Sequence, residues 1–319
     1  MNEFFLIKKY FKSLAKKNPS ALALSDDIYY NYQKKIAISV DTYVEGVHFV
    51  DSFNPDKFLK KILRSSLSDL YCKGIKPQSY FLSLALNKKH ANHLWLKKFK
   101  SILNSEQNKF KIKLGGGDTT FSSKLVITIT VIGFSNYKPV LRKGSSFNDD
   151  IYITGHIADS YLGLLVIKKK INFGKYNNFF RKKYYEPNIP VKICSHLRKI
   201  ASASIDISDG LAQDLKHLCK ESNCGALIDL SKLPLSNPCK SILLKSNKNI
   251  QDIFSRGDDY QILFTSSQNN RKKIINLSKA LNLKISRIGK TTQNMNILFK
   301  YKTNKFNLKA TKMGYTHIF

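Results

Sequence analysis

The sequence predicts an α/β or α+β fold built from two domains. Strand-like and helix-like patterns alternate along the chain, which is typical of layered folds that combine sheets and helices. The 319 residues also exceed what a single hydrophobic core usually holds. A turn-rich stretch at 138–149, with Lys138-Pro139 and Lys143-Gly144, separates two such regions. We therefore expect a first domain at 1–147 and a second at 148–319.

Apolar runs predict strands, and apolar residues at 3.6-residue spacing predict helices. In the first domain the pattern predicts strands at 35–40, 80–86 and 125–134, and helices at 56–72 and 92–107. In the second domain it predicts strands at 151–154, 260–265 and 283–288, helices at 190–201, 210–220 and 271–281, and a short strand or turn at 205–207.

The chain is strongly basic, with 54 Lys and Arg against 22 Asp and Glu, a formal net charge of +32. Such an excess suits a nucleic acid, a membrane surface or an anionic substrate. We favour a compositional bias, because the lysines are spread along the whole chain. Residues 168–185 are basic and aromatic, and they predict either a nucleic-acid surface or a solvated loop between helices.

The cysteines and the apolar runs indicate in which cellular compartment the protein is expected. Five scattered cysteines without a CxxC pair are typical of reduced cytosolic thiols. No apolar run approaches the ~20 residues of a membrane span, and no targeting segment is visible. We expect a cytoplasmic protein without a membrane or nucleic-acid partner.

The few carboxylates are the most informative feature of the sequence. Nine of the 22 acidic residues fall in six short motifs, at Asp26-Asp27, Asp41, Asp69, Asp118, Asp206 with Asp209, and Asp258-Asp259. A single aspartate beside a turn is usually a helix cap. Several together, near serine hydroxyls and backbone carbonyls, form the oxygen-rich environment that Mg²⁺ prefers when it binds substrate phosphates.

A run of three glycines precedes one of these aspartates. Gly115-Gly116-Gly117 leads into Asp118, but the segment lacks the lysine of the phosphate-binding P-loop. Glycines let the backbone approach a phosphate closely, and Asp118 would then hold its metal ion. By itself this pattern is a weak signal. Together the motifs predict a site where magnesium ions bind substrate phosphates.

The motifs resemble those of the thiamine-monophosphate kinases, within the PurM-like (aminoimidazole ribonucleotide synthetase-like) ATP-dependent enzymes. The resemblance extends from the N-terminal FFLIKKYF to the last residues. The segments that carry it are SDD (25–27), SVDTYVEGVHF (39–49), LSDLYCKG (67–74), GGGDTT (115–120), KPVLRKG (138–144), IDISDGLAQDL (205–215), RGDDYQILF (256–264) and MGYTHIF (313–319).

The resemblance implies a PurM-like fold, a homodimer, and direct transfer from ATP to thiamine monophosphate with several Mg²⁺ ions. It implies a magnesium shell of Asp27, Ser39, Val40 through its carbonyl, Asp41, Asp69, Asp118, Asp206 and Asp209. It implies ATP contacts by Gly117, Asp118, Arg142 and Ser208, with Arg142 and Asp118 acting in catalysis. It implies contacts with thiamine monophosphate by His48, Asp258 and Tyr315.

The sequence departs from the family pattern at several of these motifs. Ser25 replaces glycine, Val40 replaces threonine, and Asp258 and Gln261 each replace glutamate. Near the C-terminus Thr316 replaces aspartate and Ile318 is an extra residue. We expect these changes to affect substrate affinity more than the class of reaction.

Three alternatives remain at this point. One is another PurM-like chemistry, either aminoimidazole ribonucleotide synthesis or selenophosphate synthesis, although the latter is disfavoured because the first cysteine is Cys72. The second is a basic nucleic-acid-binding protein that uses residues 168–185. The third is a degenerate kinase that binds its ligands without turnover.

Overall fold

A computed structural model describes residues 1–245, 253–301, 304–307 and 314–319. Within those residues the helices are α1 (Glu3–Leu6), α2 (Leu59–Tyr71), α3 (His93–Phe110), α4 (Asp159–Ile167), α5 (Asn177–Tyr185), α6 (Cys194–Leu197), α7 (Leu211–Glu221), α8 (Asn237–Lys245) and α9 (Arg271–Ala280). The strands are β1 (Tyr29–Asn31), β2 (Ile36–Val44), β3 (Pro77–Leu86), β4 (Lys113–Phe121), β5 (Val126–Phe134), β6 (Asp150–Thr154), β7 (Ala203–Asp206), β8 (Gly225–Asp229), β9 (Ile262–Ser266), β10 (Ile285–Thr292), β11 (Ile297–Tyr301) and β12 (Asn304–Phe306).

The strands form two mixed sheets, one in each half of the chain. The first has the order β1-β2-β5-β3-β4, and the second has the order β12-β11-β8-β10-β6-β9-β7. The first sheet is antiparallel except for the β3–β4 pair, and the second is antiparallel except for the β8–β11 pair. The domain boundary after residue 147 stays a prediction.

Alternation along the strands determines which side of the first sheet is buried. In β5 the inward residues Ile127, Ile129 and Val131 are fully buried, whereas the outward residues between them are only half-buried. The inner face packs on α2, which in turn packs on α3. The outer face of the same sheet is open and could pack against another protein surface.

Helix α2 connects the two halves. Its apolar positions Ile62, Leu63, Leu67 and Leu70 are buried against the first sheet, as the 3.6-residue spacing predicts. The same helix also contacts β7 and α5 of the second half. A side chain on α2 can therefore face the junction of the two halves.

Most predicted elements are confirmed, with ends shifted by a few residues. One prediction was wrong in kind: 190–201 is a 3₁₀ turn at Val191–Ile193 followed by the four-residue α6, with Pro190 at its start. Residues 168–185 are not simply a loop, because α5 occupies 177–185. The glycine run lies inside β4, and Asp41 lies inside β2, where a loop or a strand end was expected.

None of the helices in the described ranges combines the length and the apolar character that crossing a bilayer requires.

Candidate functional site

A cleft of about 660 Å³ lies between the two halves of the chain. Its walls come from β2 and α2 of the first half and from the loops that follow β7 and precede β9 in the second. Of the residues implied by the resemblance, the cleft contains Asp27, Ser39, Val40, Asp41, His48, Asp69, Arg142, Asp206, Ser208, Asp209, Asp258 and Tyr315. Gly117 and Asp118 lie outside it.

The acidic floor of the cleft is formed by side chains that the strand and helix periods place on facing sides of neighbouring elements. Ser39 and Asp41 alternate along β2 and face α2, where the Ser39 hydroxyl donates a hydrogen bond to Asp69. The Tyr43 hydroxyl donates to Asp41 over 3.1 Å. From the second half, Asp206 at the end of β7 accepts a hydrogen bond from the Ser68 hydroxyl of α2. Carboxylates from three elements therefore converge.

Burial and neighbouring carboxylates raise the pKa of most of these carboxyl groups. Burial, followed by the neighbouring Asp41 and Asp206, raises the pKa of Asp69 well above its ordinary value. Burial, with Asp27 nearby, raises the pKa of Asp206 to about 7. The pKa of Asp41 is raised as well, mainly by burial. Asp206 is therefore only partly ionised at neutral pH.

Asp27 is the exception among the acidic groups. Burial alone would raise its pKa, but Arg142 and Lys73 hold it well below the ordinary value. The Lys73 ammonium lies 2.6 Å from one Asp27 oxygen, and the Arg142 guanidinium bonds the other. Asp27 is therefore ionised and already paired with protein cations.

The donor set fits divalent magnesium. The residues that converge offer carboxylate and hydroxyl oxygens, the hard ligands that Mg²⁺ prefers. The pKa values of Asp41, Asp69 and Asp206 are raised chiefly by burial and also by neighbouring carboxylates, and bound divalent cations would stabilise the ionised forms. A trio of possible ligand atoms, from Asp27, Cys72 and Asp206, lies within 4.8 Å of one another.

The loop after β7 presents a second group of acidic side chains. Burial, followed by Glu3 and Asp206, raises the pKa of Asp209 to about 7. Asp214, in the first turn of α7, accepts hydrogen bonds from the backbone N–H groups of Asp209 and Gly210. Gly210 has φ +123°, and a β-carbon there would lie 2.4 Å from the Ser255 carbonyl oxygen. Glycine thus lets two motif loops pack backbone to backbone.

The opposite wall of the cleft is aromatic. The His48 imidazole accepts a hydrogen bond at Nδ1 from the Val44 N–H over 2.9 Å. Burial, with His317 and Lys61 nearby, lowers the pKa of His48, so the ring is neutral and its Nε2 carries the proton. The His317 ring lies 5.3 Å from the His48 ring and 5.0 Å from the Tyr315 ring.

A lysine and an aspartate lie beside this aromatic wall. The Lys61 ammonium is 2.8 Å from Asp258 and lies 4.0 Å above the Tyr184 ring. Asp258 adopts φ +71°, the left-handed region that non-glycine residues seldom occupy. Its backbone N–H donates to the Ser208 carbonyl over 2.8 Å, which fixes Asp258 beside the acidic loop. Such strain is concentrated at functional sites.

Gly117 and Asp118 lie across the sheet from Asp41. The register pairs Asp41 with Ile129, Ile129 with Leu82, and Leu82 with Gly117. Three strand spacings of about 4.8 Å give a separation of about 14 Å. Asp118 is exposed on the edge strand β4. In a single copy of the chain, these two residues do not reach the cleft.

The packing of β4 against β3 accounts for the run of three glycines, with no need for a bound phosphate to explain it. A β-carbon on Gly117 would lie 1.8 Å from the Leu82 carbonyl oxygen of β3. Gly115 and Gly116 cover the face of the Phe81 ring, where a β-carbon would come within 3.0 and 3.4 Å. The close approach of β4 to β3 therefore requires small residues here.

Several cleft residues have no role in the sequence-based prediction. Lys61 could have been found, because Lys61, Ser65 and Asp69 follow one another at four-residue spacing on the same face of α2. His317 stands in the same terminal segment as Tyr315. Glu3 reaches the cleft from the first helix, and no sequence pattern indicates that.

Comparison with known protein families agrees with this geometry. Residues 23–135 match the family model described as AIR synthase related protein, N-terminal domain. Residues 148–300 match the model described as AIR synthase related protein, C-terminal domain. The two models together account for most of the chain.

Curated relatives and solved structures are more specific. The thiamine-monophosphate kinase of Buchnera aphidicola subsp. Schizaphis graminum is 36% identical, with 99% of this chain and 98% of the relative covered. The enzyme of the same name from Escherichia coli K12 is 34% identical, with 84% of each chain covered.

Among solved structures, the one described as "AaThiL complexed with AMPPCP and TMP" superposes with a TM-score of 0.84 at 28% identity, covering 99% of this chain and 97% of that one. Thiamine monophosphate kinase from Aquifex aeolicus superposes with a TM-score of 0.81 at 27% identity, covering 96% and 98% of the two chains. The fold is therefore PurM-like, as predicted, and the chain belongs to the thiamine-monophosphate kinase family.

Proposed function

We propose that the protein transfers the γ-phosphoryl group of ATP to thiamine monophosphate, which gives thiamine diphosphate and ADP. One observation carries this proposal. A single cleft joins a group of carboxylates that lack compensating charge to a wall of aromatic rings. The first suits metal-bound phosphates, and the second suits a cationic heteroaromatic ring.

The two substrates would meet where these walls adjoin. The phosphates of ATP lie over Asp41, Asp69 and Asp206, with Ser208 at the rim of the same site. The thiamine rings lie against His48 and Tyr315, where the neutral His48 donates a hydrogen bond from Nε2. Asp258 approaches the cationic thiazolium ring, while its partner Lys61 attracts the phosphate of the acceptor.

Transfer would be direct and in line. A phosphate oxygen of thiamine monophosphate attacks the γ-phosphorus as the bond to the bridging oxygen of ADP breaks. That oxygen is already ionised near neutral pH, so no general base is needed. Arg142 leaves part of its pairing with Asp27 and stabilises the charge on the transferring group. Bound magnesium ions supply charge neutralisation between two anionic substrates.

The proposed magnesium ligands come from one copy of the chain with one exception. They are the side chains of Asp27, Ser39, Asp41, Asp69, Asp206 and Asp209 and the backbone carbonyl of Val40. Asp118 lies about 14 Å away across the sheet, so we propose that it acts with Gly117 on the nucleotide of a second copy, within a homodimer.

The exposed face of the first sheet supports that homodimer. Val40, Phe81 and Phe134 lie on this face, on β2, β3 and β5, and are exposed by 60%, 38% and 50% respectively. A cluster of large apolar side chains on an open sheet face favours coverage by a protein surface. Packing two such faces together would bring β4 of one copy toward β2 of the other.

We also propose a cytoplasmic protein without a nucleic-acid partner. All five cysteines are free and buried, which supports a reducing compartment. In segment 168–185, Phe180 is buried in the hydrophobic core of the second half, and Phe173, Tyr176 and Phe179 are partly buried against that core. These rings are therefore not free to stack on bases. We interpret the basic side chains of that segment as a solvated surface.

The proposal is tested by incubating the purified protein with ATP, Mg²⁺ and thiamine monophosphate and separating the products by chromatography. We expect thiamine diphosphate and ADP in equal amounts, and neither product when EDTA replaces Mg²⁺. ADP without thiamine diphosphate would move the acceptor elsewhere among PurM-like enzymes. Absence of both products would favour a binding protein that has lost turnover.

A further inference from the structure

Lys73 is a buried cation inside the proposed metal site. Its side chain is 1% exposed, and its ammonium group lies 2.9 Å from Asp26, 2.6 Å from Asp27 and 2.7 Å from the carbonyl oxygen of Ser204. The ammonium group donates a hydrogen bond to the Ser204 carbonyl and forms ion pairs with both carboxylates. A buried lysine is found only where its charge is compensated.

The charges at this end of the cluster balance. Asp26 accepts the Arg142 backbone N–H over 2.8 Å with one oxygen and pairs with Lys73 through the other. Asp27 pairs with Lys73 and with the Arg142 guanidinium. Two carboxylates thus face two protein cations. Asp26 has no oxygen left for a metal ion, and Asp27 must share its oxygens.

The other end of the cluster has no such balance. Asp41 and Asp69 of the first half lie near Asp206 of the second, and the charges of these carboxylates oppose one another. Lys61, a buried lysine of α2, pairs with Asp258 and not with them. Divalent cations would therefore enter the unbalanced end first.

We propose that Lys73 acts as a built-in monovalent cation at Asp27 and limits how many divalent ions the cluster binds before nucleotide arrives. This inference rests on the proposed metal-dependent function of the same cleft. Lys73 is a positioning residue, because it acts on the metal ions through Asp27 and touches neither substrate.

The test is a titration of the nucleotide-free protein with Mn²⁺, followed by the paramagnetic resonance signal of the free ion. Lys73→Met removes the ammonium and keeps a long apolar side chain. We expect it to gain one Mn²⁺ site or to bind Mn²⁺ roughly tenfold more tightly, because repulsion between the two cations is lost. Asp26→Asn directs the whole Lys73 charge at Asp27, and we expect roughly tenfold weaker binding.

Lys60→Met is the matched control. Lys60 lies on α2, pairs with Glu186 over 2.8 Å and does not line the cleft. We expect its Mn²⁺ titration to match that of the wild-type protein.

Thermal unfolding separates this account from a purely structural role of Lys73. If Lys73 only fills space and satisfies hydrogen bonds, Lys73→Met lowers the melting temperature equally with and without Mn²⁺, and the Mn²⁺ titration does not change. If our account holds, added Mn²⁺ restores the melting temperature of Lys73→Met more than it raises that of the wild type. Opposite shifts in Mn²⁺ affinity for Lys73→Met and Asp26→Asn support the proposal, and equal or absent shifts overturn it.

No substrate or turnover enters these measurements. Failure of the proposed kinase reaction would therefore be distinguishable from failure of the role assigned to Lys73.

Discussion

Binding of magnesium to the nucleotide-free protein should release protons. Asp206 and Asp209 each have a pKa of about 7, raised chiefly by burial and also by neighbouring carboxylates. At pH 7 each group is about half protonated, so full ionisation of the pair releases about one proton.

Calorimetry measures this release directly. Mg²⁺ is titrated into the protein at pH 7 in two buffers of different protonation enthalpy, and the difference in heat gives the number of protons. We expect about one or more at pH 7, and a smaller number at pH 9, where Asp206 and Asp209 are already ionised.

Two variants sharpen the proton count. Asp206→Asn should lower it by about half a proton, whereas Asp229→Asn, which changes a half-buried carboxylate at the end of β8 that does not line the cleft, should leave it unchanged. The same heat of binding in both buffers at pH 7 would refute the conclusion that Asp206 and Asp209 are partly protonated in the metal-free protein.

Three further predictions concern single residues. In the folded state Asp206 keeps its proton up to about pH 7, whereas in the unfolded chain it loses the proton near pH 3.8. This group therefore makes the metal-free protein less stable as the pH rises through that window. Chemical denaturation should show Asp206→Asn gaining stability relative to the wild type from pH 4 to 7, and a constant difference between the two would contradict this. Gly117→Ala places a β-carbon 1.8 Å from the Leu82 carbonyl oxygen, and denaturation should show a loss of about 3 kcal/mol or more, whereas an unchanged midpoint would contradict the strand assignment. Tyr315→Ala should raise the KM for thiamine monophosphate about tenfold while leaving the KM for ATP near its wild-type value in steady-state assays, and an equal rise in both would place Tyr315 elsewhere.

Local patterns predicted the parts of the fold that local physics determines. The apolar spacing of α2 and the buried run of β5 appear in the structure because each element buries one stripe or one face. The prediction of a helix at 190–201 was wrong, because Pro190 is followed by a tight 3₁₀ turn and then by the short helix α6. Periodicity does not reveal how a chain turns between packed elements.

The site was predicted by residue type, but its geometry was not. Asp41 and Asp206 are far apart in sequence, and only the packing of α2 against both halves brings them near each other. Lys73 could not be distinguished from the many other lysines of a basic chain, because only burial and its two aspartate partners mark it out. The separation of Asp118 from Asp41 depends on strand order, which no short motif encodes.

The most direct test of the central claim follows the γ-phosphoryl group itself. ATP labelled in the γ-phosphate is mixed with excess protein, Mg²⁺ and thiamine monophosphate in a single turnover, and the label is traced in product and protein. We predict that all transferred label appears in thiamine diphosphate, that none is bound to the protein, and that Asp41→Ala abolishes transfer while its circular dichroism matches the wild type. Label on the protein, or wild-type transfer by a folded Asp41→Ala, would contradict direct transfer in this cleft.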